Sequence, residues 1–335
     1  MGENIFLFTL FSSLGDALII SNVVTKARTV GERCFIAHLN NPHIDAFLPQ
    51  ELKHCSFNVL SSNGLFLLWQ ALISERRKGA IVFGIQQAPG SLRGFYFLSL
   101  LKKIAAVDYV VDDNLYDADI VIPKKSGYIL DIHLDQVCKL SGKEIKGESR
   151  SLSLPEVLRS SVLDVDPFLV GIHPWSRRWK EPAFVWSFEQ WATFIELAAT
   201  TCNSSFIVFG RDPRFDEFQS FLKYRLPHNV YAKIIFSPVR NIQEMTGVIS
   251  RCQILISVNT GVVHIAYALQ KRMVILNGPT FDFWIPKSDN IRSIKDTYAL
   301  YDGSDKQGNN LKFPMVSRID VNMVLKEFLG LIGSR

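Results

Sequence analysis

Two doubly wound α/β domains, each on a mostly parallel sheet and facing one another across a cleft, are the fold class this sequence predicts. Three observations carry that expectation. Short apolar runs alternate with amphipathic stretches in a βαβ rhythm through both halves of the chain. A polar, turn-forming stretch, "SGKEIKGESRSLSLPEVLRSSVLDVDPF" at 141–168, interrupts the rhythm, so the interdomain linker is placed there. The length of 335 residues, with 47% hydrophobic content, is enough for two cores at about 150 residues per domain. The domains expected are 1–155 and 166–335.

The elements follow in chain order. "IFLFTLF" is a strand because it is apolar without alternation, as a strand buried on both faces must be. A helix over 16–27, the strands "CFIAHL" and "FNVLS", a helix over 65–75, the strand "AIVFGI", a helix over 92–104 and the strands "DYVV" and "DIVIP" complete the first domain. The rhythm restarts with "FLVGIH" at 168–173, a helix over 187–199, "SFIVFG" at 205–210, a helix over 214–226 and "AKIIF". A helix over 243–250 and the strands "QILIS" and "MVILNG" follow. The last helix, 321–331, is amphipathic; its docking partner stays open, the N-terminal domain being one candidate.

Charge and cysteine usage narrow the function classes. The net charge is +5 and the pI near 8.9, but the basic residues sit in short clusters: Arg76-Arg77-Lys78, Lys102-Lys103 and Lys124-Lys125. A nucleic-acid binder would carry a denser stripe, so no nucleic-acid partner is expected. An anionic substrate, an anionic membrane surface and ordinary solvated side chains all remain open. Cys34, Cys55, Cys138, Cys202 and Cys252 are far apart and lack C-x-x-C spacing, which argues against a zinc site and a disulfide framework. "MGENIFLFTLF" reads as a first strand rather than a signal peptide, Phe6 breaks the myristoylation pattern, and no apolar run reaches a bilayer's width. A cytoplasmic protein is expected, with peripheral attachment to a membrane as an option.

Three stretches carry candidate chemistry. In "SVNTGVVHIAYALQKRMVILNGPT", 257–280, an apolar strand breaks at Asn259-Thr260-Gly261 and a helix begins; a second strand then delivers Gly278-Pro279-Thr280 to the same sheet edge. A helix N-terminus there presents free N–H groups and the positive end of a dipole, which suits a phosphate. His264 faces the same mouth, as a ligand contact or as a satisfied core residue. "SSLGDALII" ends the first strand in a turn of Ser12, Ser13 and Gly15, with Asp16 at the start of a helix. That aspartate has two readings, helix cap or general base. "GIHPWSRRWKEPAFVW" places His173, Ser176, Arg177, Arg178 and Lys180 after a strand, either to neutralise a diphosphate or as an exposed basic loop. His173 reads as structural, and Trp175, Trp179 and Trp186 as packing residues.

"SSLGDALI", "HPWSRRW" and "SVNTGVVHIAYALQKRMVILNGPT", in this order and separation, resemble glycosyltransferase family 9, which contains the ADP-heptose:lipopolysaccharide heptosyltransferases. "HLDQVCKLSG" and "NIQEMTGVISRCQILIS" extend the resemblance over most of the chain. It implies a GT-B fold of two Rossmann-like domains, the first binding an acceptor and the second a nucleotide sugar. It implies inverting, metal-independent transfer without a cofactor, with ADP-heptose as donor, an anionic saccharide such as a lipopolysaccharide core as acceptor, and a monomer at or near the inner membrane. On the family pattern Asp16 matches the catalytic base. The phosphate-binding lysine falls in "SRRWKEPAFVW", where Arg177 is the preferred equivalent and Arg178 and Lys180 the alternatives. The family's Asp-Thr-Gly-x-x-His becomes Asn259, Thr260, Gly261 and His264, with Thr260 and Gly261 toward the diphosphate and His264 beside it.

Side-chain chemistry alone agrees with that assignment. A base activates a hydroxyl by typically about 10²–10⁴-fold, and helix N–H groups with arginine stabilise a departing diphosphate. The chain has no evident D-x-D metal loop; Asp166 belongs to an Asp-Val-Asp string, but in the expected linker. Two residues depart from the family. Asn259 replaces an aspartate, losing a charge, and Trp175 stands where a small residue is common, with the expectation that it crowds the donor pocket. The rival readings are a transferase for another nucleotide sugar or a soluble acceptor, and a catalytically impaired nucleotide-sugar-binding homologue.

Overall fold

A computed structural model describes residues 3–10, 14–41, 43–86, 92–112, 118–122, 127–146, 150–202, 204–280, 282–296 and 314–333. The chain forms two compact units, Met1–Glu156 and Val157–Arg335.

In the first unit the strands are β1 (Asn4–Leu10), β2 (Arg33–His38), β3 (Ser56–Asn58), β4 (Ile81–Gln86), β5 (Tyr109–Asp112) and β6 (Ile120–Val121). They pair in the order β3-β2-β1-β4-β5-β6, all parallel. β1 is central, and Ile5 through Leu10 are all buried, which is why its sequence is apolar without alternation. The helices are α1 (Leu14–Thr29), α2 (Ile44–Phe47), α3 (Ser62–Arg77), α4 (Leu92–Lys103) and α5 (Ile129–Ser141). Eleven of the sixteen residues of α1 are buried, so it is a core helix rather than an amphipathic one. Helix α5, which ends on Gly142 in the left-handed conformation (φ 70°), packs on α1 and was not foreseen as an element. Residues 150–154, assigned to the linker from sequence, are held on this unit. Leu152 and Leu154 are buried, and the Asn22 amide donates to the Ser153 carbonyl while accepting from its N–H, both at 2.9 Å.

The second unit contains α6 (Glu156–Arg159, beginning at the last residue of the first), then β7 (Asp166–His173), α7 (Phe188–Thr201), β8 (Ser205–Gly210), α8 (Phe215–Arg225) and α9 (His228–Tyr231). Next come β9 (Ile234–Pro238), α10 (Ile242–Arg251), β10 (Cys252–Val258), α11 (Gly261–Ala268), β11 (Arg272–Asn277), β12 (Ile291–Lys295) and α12 (Val321–Gly333). The strand order β12-β11-β10-β7-β8-β9 repeats the topology of the first unit, again all parallel. Two sequence-based placements need correction. Asp166 is not linker; it opens β7 opposite Cys252, because the strand starts two residues earlier than its apolar run. The sixth strand, β12, was not read at all: it is an edge strand whose "IRSIK" mixes buried Ile291 and Ile294 with Arg292, exposed Ser293 and Lys295.

The second core is aromatic. Trp186, Trp191 and Phe194 pack with Phe328 of α12, and the Trp186 indole donates to the Ile319 carbonyl at 3.0 Å. Helix α12 therefore covers α7 and β11 of its own unit. Helix α7 starts with a complete capping box on Ser187 and Gln190, as its predicted N-terminus required.

Candidate functional site

In both sheets the chain reverses its direction of winding at the centre, between β1 and β4 in one and between β7 and β10 in the other. Ligands of open α/β sheets bind outside the carboxyl ends of the strands at such switch points. The loops after β7 and β10 carry the residues singled out in the second half of the sequence.

β10 ends in Val258, and Thr260 is the N-cap of α11, extended at φ −146° and ψ 178°. Threonine is a good N-cap when its oxygen accepts from the first turn, yet here no side chain caps the helix. The Thr260 hydroxyl is buried and has no hydrogen-bond partner among the described residues. Buried hydroxyls are nearly always satisfied, so a helix mouth with an idle donor is a feature to explain. Gly261 opens the helix, and Val262 through Ala266 are buried, His264 among them with its ring edge-on to Trp284 at 6.4 Å.

The two turns of the long motif are joined. The Asn259 backbone N–H donates to the Leu276 carbonyl (3.0 Å), and its side-chain amide donates to Thr280 Oγ1 (3.1 Å) and more weakly to Asn277 Oδ1 (3.4 Å). Thr280 in turn donates to Asn277 Oδ1 at 2.9 Å. Asn259 thus serves as a donor toward β11, a role that an aspartate could not fill with the same protons. Thr280 belongs to the second turn that the sequence marks, whereas Asn277 is an addition from the structure. The signal was present, since an asparagine closes both apolar stretches, "ISVN" and "VILN".

Gly278 receives the loop that follows β7. A Cβ there would lie 2.3 Å from the Ala183 carbonyl oxygen, so only glycine permits this approach. The Ala183 and Pro182 carbonyls also accept from Val316 and Ser317 N–H. The basic loop and the Gly278 turn are in this way brought together.

Within that loop the three cations differ. Arg178 is bound through two nitrogens to Glu181 (2.8 and 2.6 Å) and lies over Phe184 at 3.9 Å. Lys180 lies over the Trp179 ring at 5.2 Å. Arg177 is exposed and has neither hydrogen bond nor ion pair among the described residues. Ser176 Oγ accepts from the Arg178 N–H at 3.2 Å. A further cation, Arg214 beyond β8, stacks on Trp179 (4.6 Å) and pairs with Asp212 (2.9 Å); nothing in its sequence context marked it. Lys295, at the carboxyl end of the missed strand β12, reaches Asp282 at 3.1 Å and the Thr280 carbonyl at 3.5 Å.

Trp175 does not crowd this edge as expected. Its indole is buried, donates to the Phe209 carbonyl at 2.8 Å and packs on Phe215 and Phe218. Gly210, at φ 138°, makes room: a Cβ there would come within 2.2 Å of the indole. Trp186 is likewise buried, whereas Trp179 is exposed. His173 ends β7 in register with Ser257, its Nδ1 3.3 Å from Ser257 Oγ. Burial lowers its pKa to about 4, so the ring is neutral at physiological pH.

In the first unit, Asp16 is buried in the first turn of α1, next to buried Gly15, beyond the carboxyl end of the central strand β1. Ser12 and Ser13 lie outside the described residues. Among the described residues no group of three or more His, Cys, Asp or Glu side chains is arranged to hold a metal ion, and no helix is long and apolar enough to cross a membrane.

Residues 154–308 match the family model for glycosyltransferase family 9 (heptosyltransferase). No curated protein matches the chain. Among solved structures, a family 9 glycosyl transferase from Veillonella parvula DSM 2008 is similar over 99% of this chain and 98% of its own, at 17% identity and a TM-score of 0.61. ADP-heptose lps heptosyltransferase II of E. coli is similar over 98% of each chain, at 15% identity and a TM-score of 0.59. E. coli heptosyltransferase WaaC, solved with ADP, is similar over 98% of this chain and 100% of that one, at 14% identity and a TM-score of 0.60. The fold is that of the GT-B glycosyltransferases.

Proposed function

From the glycosyltransferase family 9 match over residues 154–308, we propose that this chain is an inverting, metal-independent glycosyltransferase that moves a heptose from ADP-heptose to a saccharide acceptor such as a lipopolysaccharide core. The observation that carries the donor half is the uncapped mouth of α11 with its idle Thr260 hydroxyl, at the switch point of the second sheet. A diphosphate supplies what that mouth lacks, an anion for the N–H groups and an acceptor for the hydroxyl. Arg177 is the cation free to move onto the leaving group, since Arg178 is bound to Glu181.

Asp16 is the base in this reading. It takes the proton of an acceptor hydroxyl as that oxygen attacks the anomeric carbon; the bond from that carbon to the diphosphate oxygen breaks, and ADP leaves with the electron pair. Attack opposite the leaving group inverts the centre. Gly261, Ser176, Lys180 and His264 line the donor side, and Gly15 the acceptor side. The protein works in the cytoplasm as a monomer.

Asn259 favours a second reading. With an amide where the family has a carboxylate, the donor sugar differs from heptose, or nucleotide sugar is bound without turnover. A melting-temperature panel over ADP, ADP-heptose and other nucleotide sugars, followed by transfer assays with and without EDTA, tests both. Stabilisation by ADP and ADP-heptose with EDTA-insensitive transfer supports the heptosyl reading. Stabilisation and turnover confined to a different nucleotide sugar would move the assignment to that donor, and a strict metal requirement would remove the proposed leaving-group chemistry.

A further inference from the structure

At the carboxyl edge of the first sheet, the ends of β2 and β3 carry polar side chains that the proposed reaction does not use. His38 closes β2 between two partners, in register with Leu10 of β1 on one side and Asn58 of β3 on the other. Its carbonyl accepts from the Val59 N–H at 2.9 Å. The chain that follows is pinned to the same edge. Asn40, in the left-handed region at φ 47°, donates its N–H to Asn58 Oδ1 at 3.1 Å, and the Leu60 N–H donates to the same oxygen at 3.1 Å. The Asn58 amide donates in return to Asn40 Oδ1 at 3.3 Å.

His38 is only 9% exposed, and one contact fixes where its proton sits. The Asn41 N–H donates to Nδ1 at 3.1 Å. A backbone N–H is always the donor, so Nδ1 is bare and the neutral ring carries its proton on Nε2. Burial favours the neutral form by lowering the imidazole pKa, and the Asp45 carboxylate opposes it more weakly. The Nε2–H has no acceptor among the described residues. Buried donors are nearly always satisfied, so one held ready at a sheet edge calls for a ligand that brings the acceptor.

That ligand is a neutral hydroxyl compound. An imidazole N–H and carboxamides close β2 and β3, groups that match hydroxyl oxygens, while the Asp45 carboxylate acting on His38 would repel an anion. Position joins His38 to the reaction. It flanks β1, from whose end the chain enters α1 and Asp16, and the carboxyl ends of such strands are where open α/β sheets hold ligands. We propose that His38 is an acceptor-binding residue, its Nε2–H donating to a hydroxyl oxygen of a neutral sugar unit of the acceptor. This role rests on the reading above that the first unit takes the acceptor.

Two substitutions that each copy one half of the ring test it. His38→Asn keeps an oxygen where Nδ1 accepts and loses the outer donor, whereas His38→Gln keeps an N–H near the Nε2 position and loses the Nδ1 acceptor. Saccharide binding is read by NMR titration of the whole chain without nucleotide, with methyl heptoside and methyl glucuronide as probes. Transfer from ADP-heptose to methyl heptoside gives KM and kcat. Wild type should bind the heptoside and discriminate against the glucuronide. His38→Asn should weaken heptoside binding and raise its KM by about threefold to tenfold, the loss of one neutral hydrogen bond, with melting temperature, ADP affinity and kcat little altered. His38→Gln should recover most of the binding despite a lower melting temperature. A merely structural histidine gives the reverse, with binding lost in step with stability. Equal heptoside affinity in wild type and His38→Asn, equal wild-type affinity for the two probes, or no heptoside binding by wild type overturns the proposal. Heptoside binding that depends on His38 but leads to no transfer keeps His38 as a saccharide ligand and removes instead the heptosyl-transfer reading.

Discussion

Thr260 holds a buried hydroxyl that nothing in the described chain engages, at a position where a threonine ordinarily caps its own helix. If the hydroxyl were structural, Thr260→Val would lower stability. As a phosphate ligand it predicts the opposite pattern: unchanged or slightly raised melting temperature, because a desolvated hydroxyl is removed, and ADP affinity weakened by about tenfold or more, a hydrogen bond to a charged group being worth about 1.5–3 kcal/mol. Calorimetric titration with ADP beside a thermal melt separates the two. His173 supplies a pH prediction. Its folded pKa of about 4 lies below the ordinary value near 6.5, so the unfolded chain binds the extra proton between them. The stability it contributes is complete above about pH 6.5 and is lost as pH falls toward 4, about 2 kcal/mol of it between pH 7 and 5. Denaturant melts at those two pH values should show that loss in wild type and a smaller one in His173→Gln.

Among the elements, the loop between β7 and α7 depends on β11 for its shape. Its carbonyl at Ala183 rests where a side chain on residue 278 would be, so Gly278→Ala forces loop and turn apart. Overpacking of this kind costs about 1–3 kcal/mol, and the displaced loop carries Arg177 with it. The expected result is a lower melting temperature together with weaker ADP binding, read by the same melt and titration; a melt and an affinity equal to wild type would mean that the loop is not held there. The pairing of Asn259 with Asn277 and Thr280 explains why two polar turns recur within one short stretch: each terminates a buried parallel strand, and the second accepts the side-chain N–H groups of the first. The elements most readily read from sequence were those with continuous apolar runs, β1, β8, β10 and β11. β12 escaped because an edge strand is free to carry Arg292 and Lys295, and α5 because its buried face includes the polar His133 and Gln136, which interrupt the apolar period.

For the whole molecule, the residues proposed as base and as donor ligand belong to different units, Asp16 to the first and Thr260 to the second. Asp16→Asn should therefore reduce transfer by about 10²–10⁴-fold while ADP affinity and melting temperature hold. Retained turnover in that variant would make Asp16 a buried helix-start residue and nothing more. The sequence by itself determined the fold class, the two parallel sheets and the position of each candidate turn, because burial on both faces of a strand leaves an apolar run that any reader of the chain can see. It also carried the family likeness, since motifs are local in sequence. Only the tertiary structure decided which polar groups are spent and which are idle. Arg178 is taken by Glu181, Trp175 by Phe209 and Gly210, and Asn259 by the turn after β11, while Arg177 and the Thr260 hydroxyl have no partner among the described residues. The physical reason is that hydrogen bonds and ion pairs are made between residues the chain brings together from a distance, and the pattern along the chain records burial but not the partner.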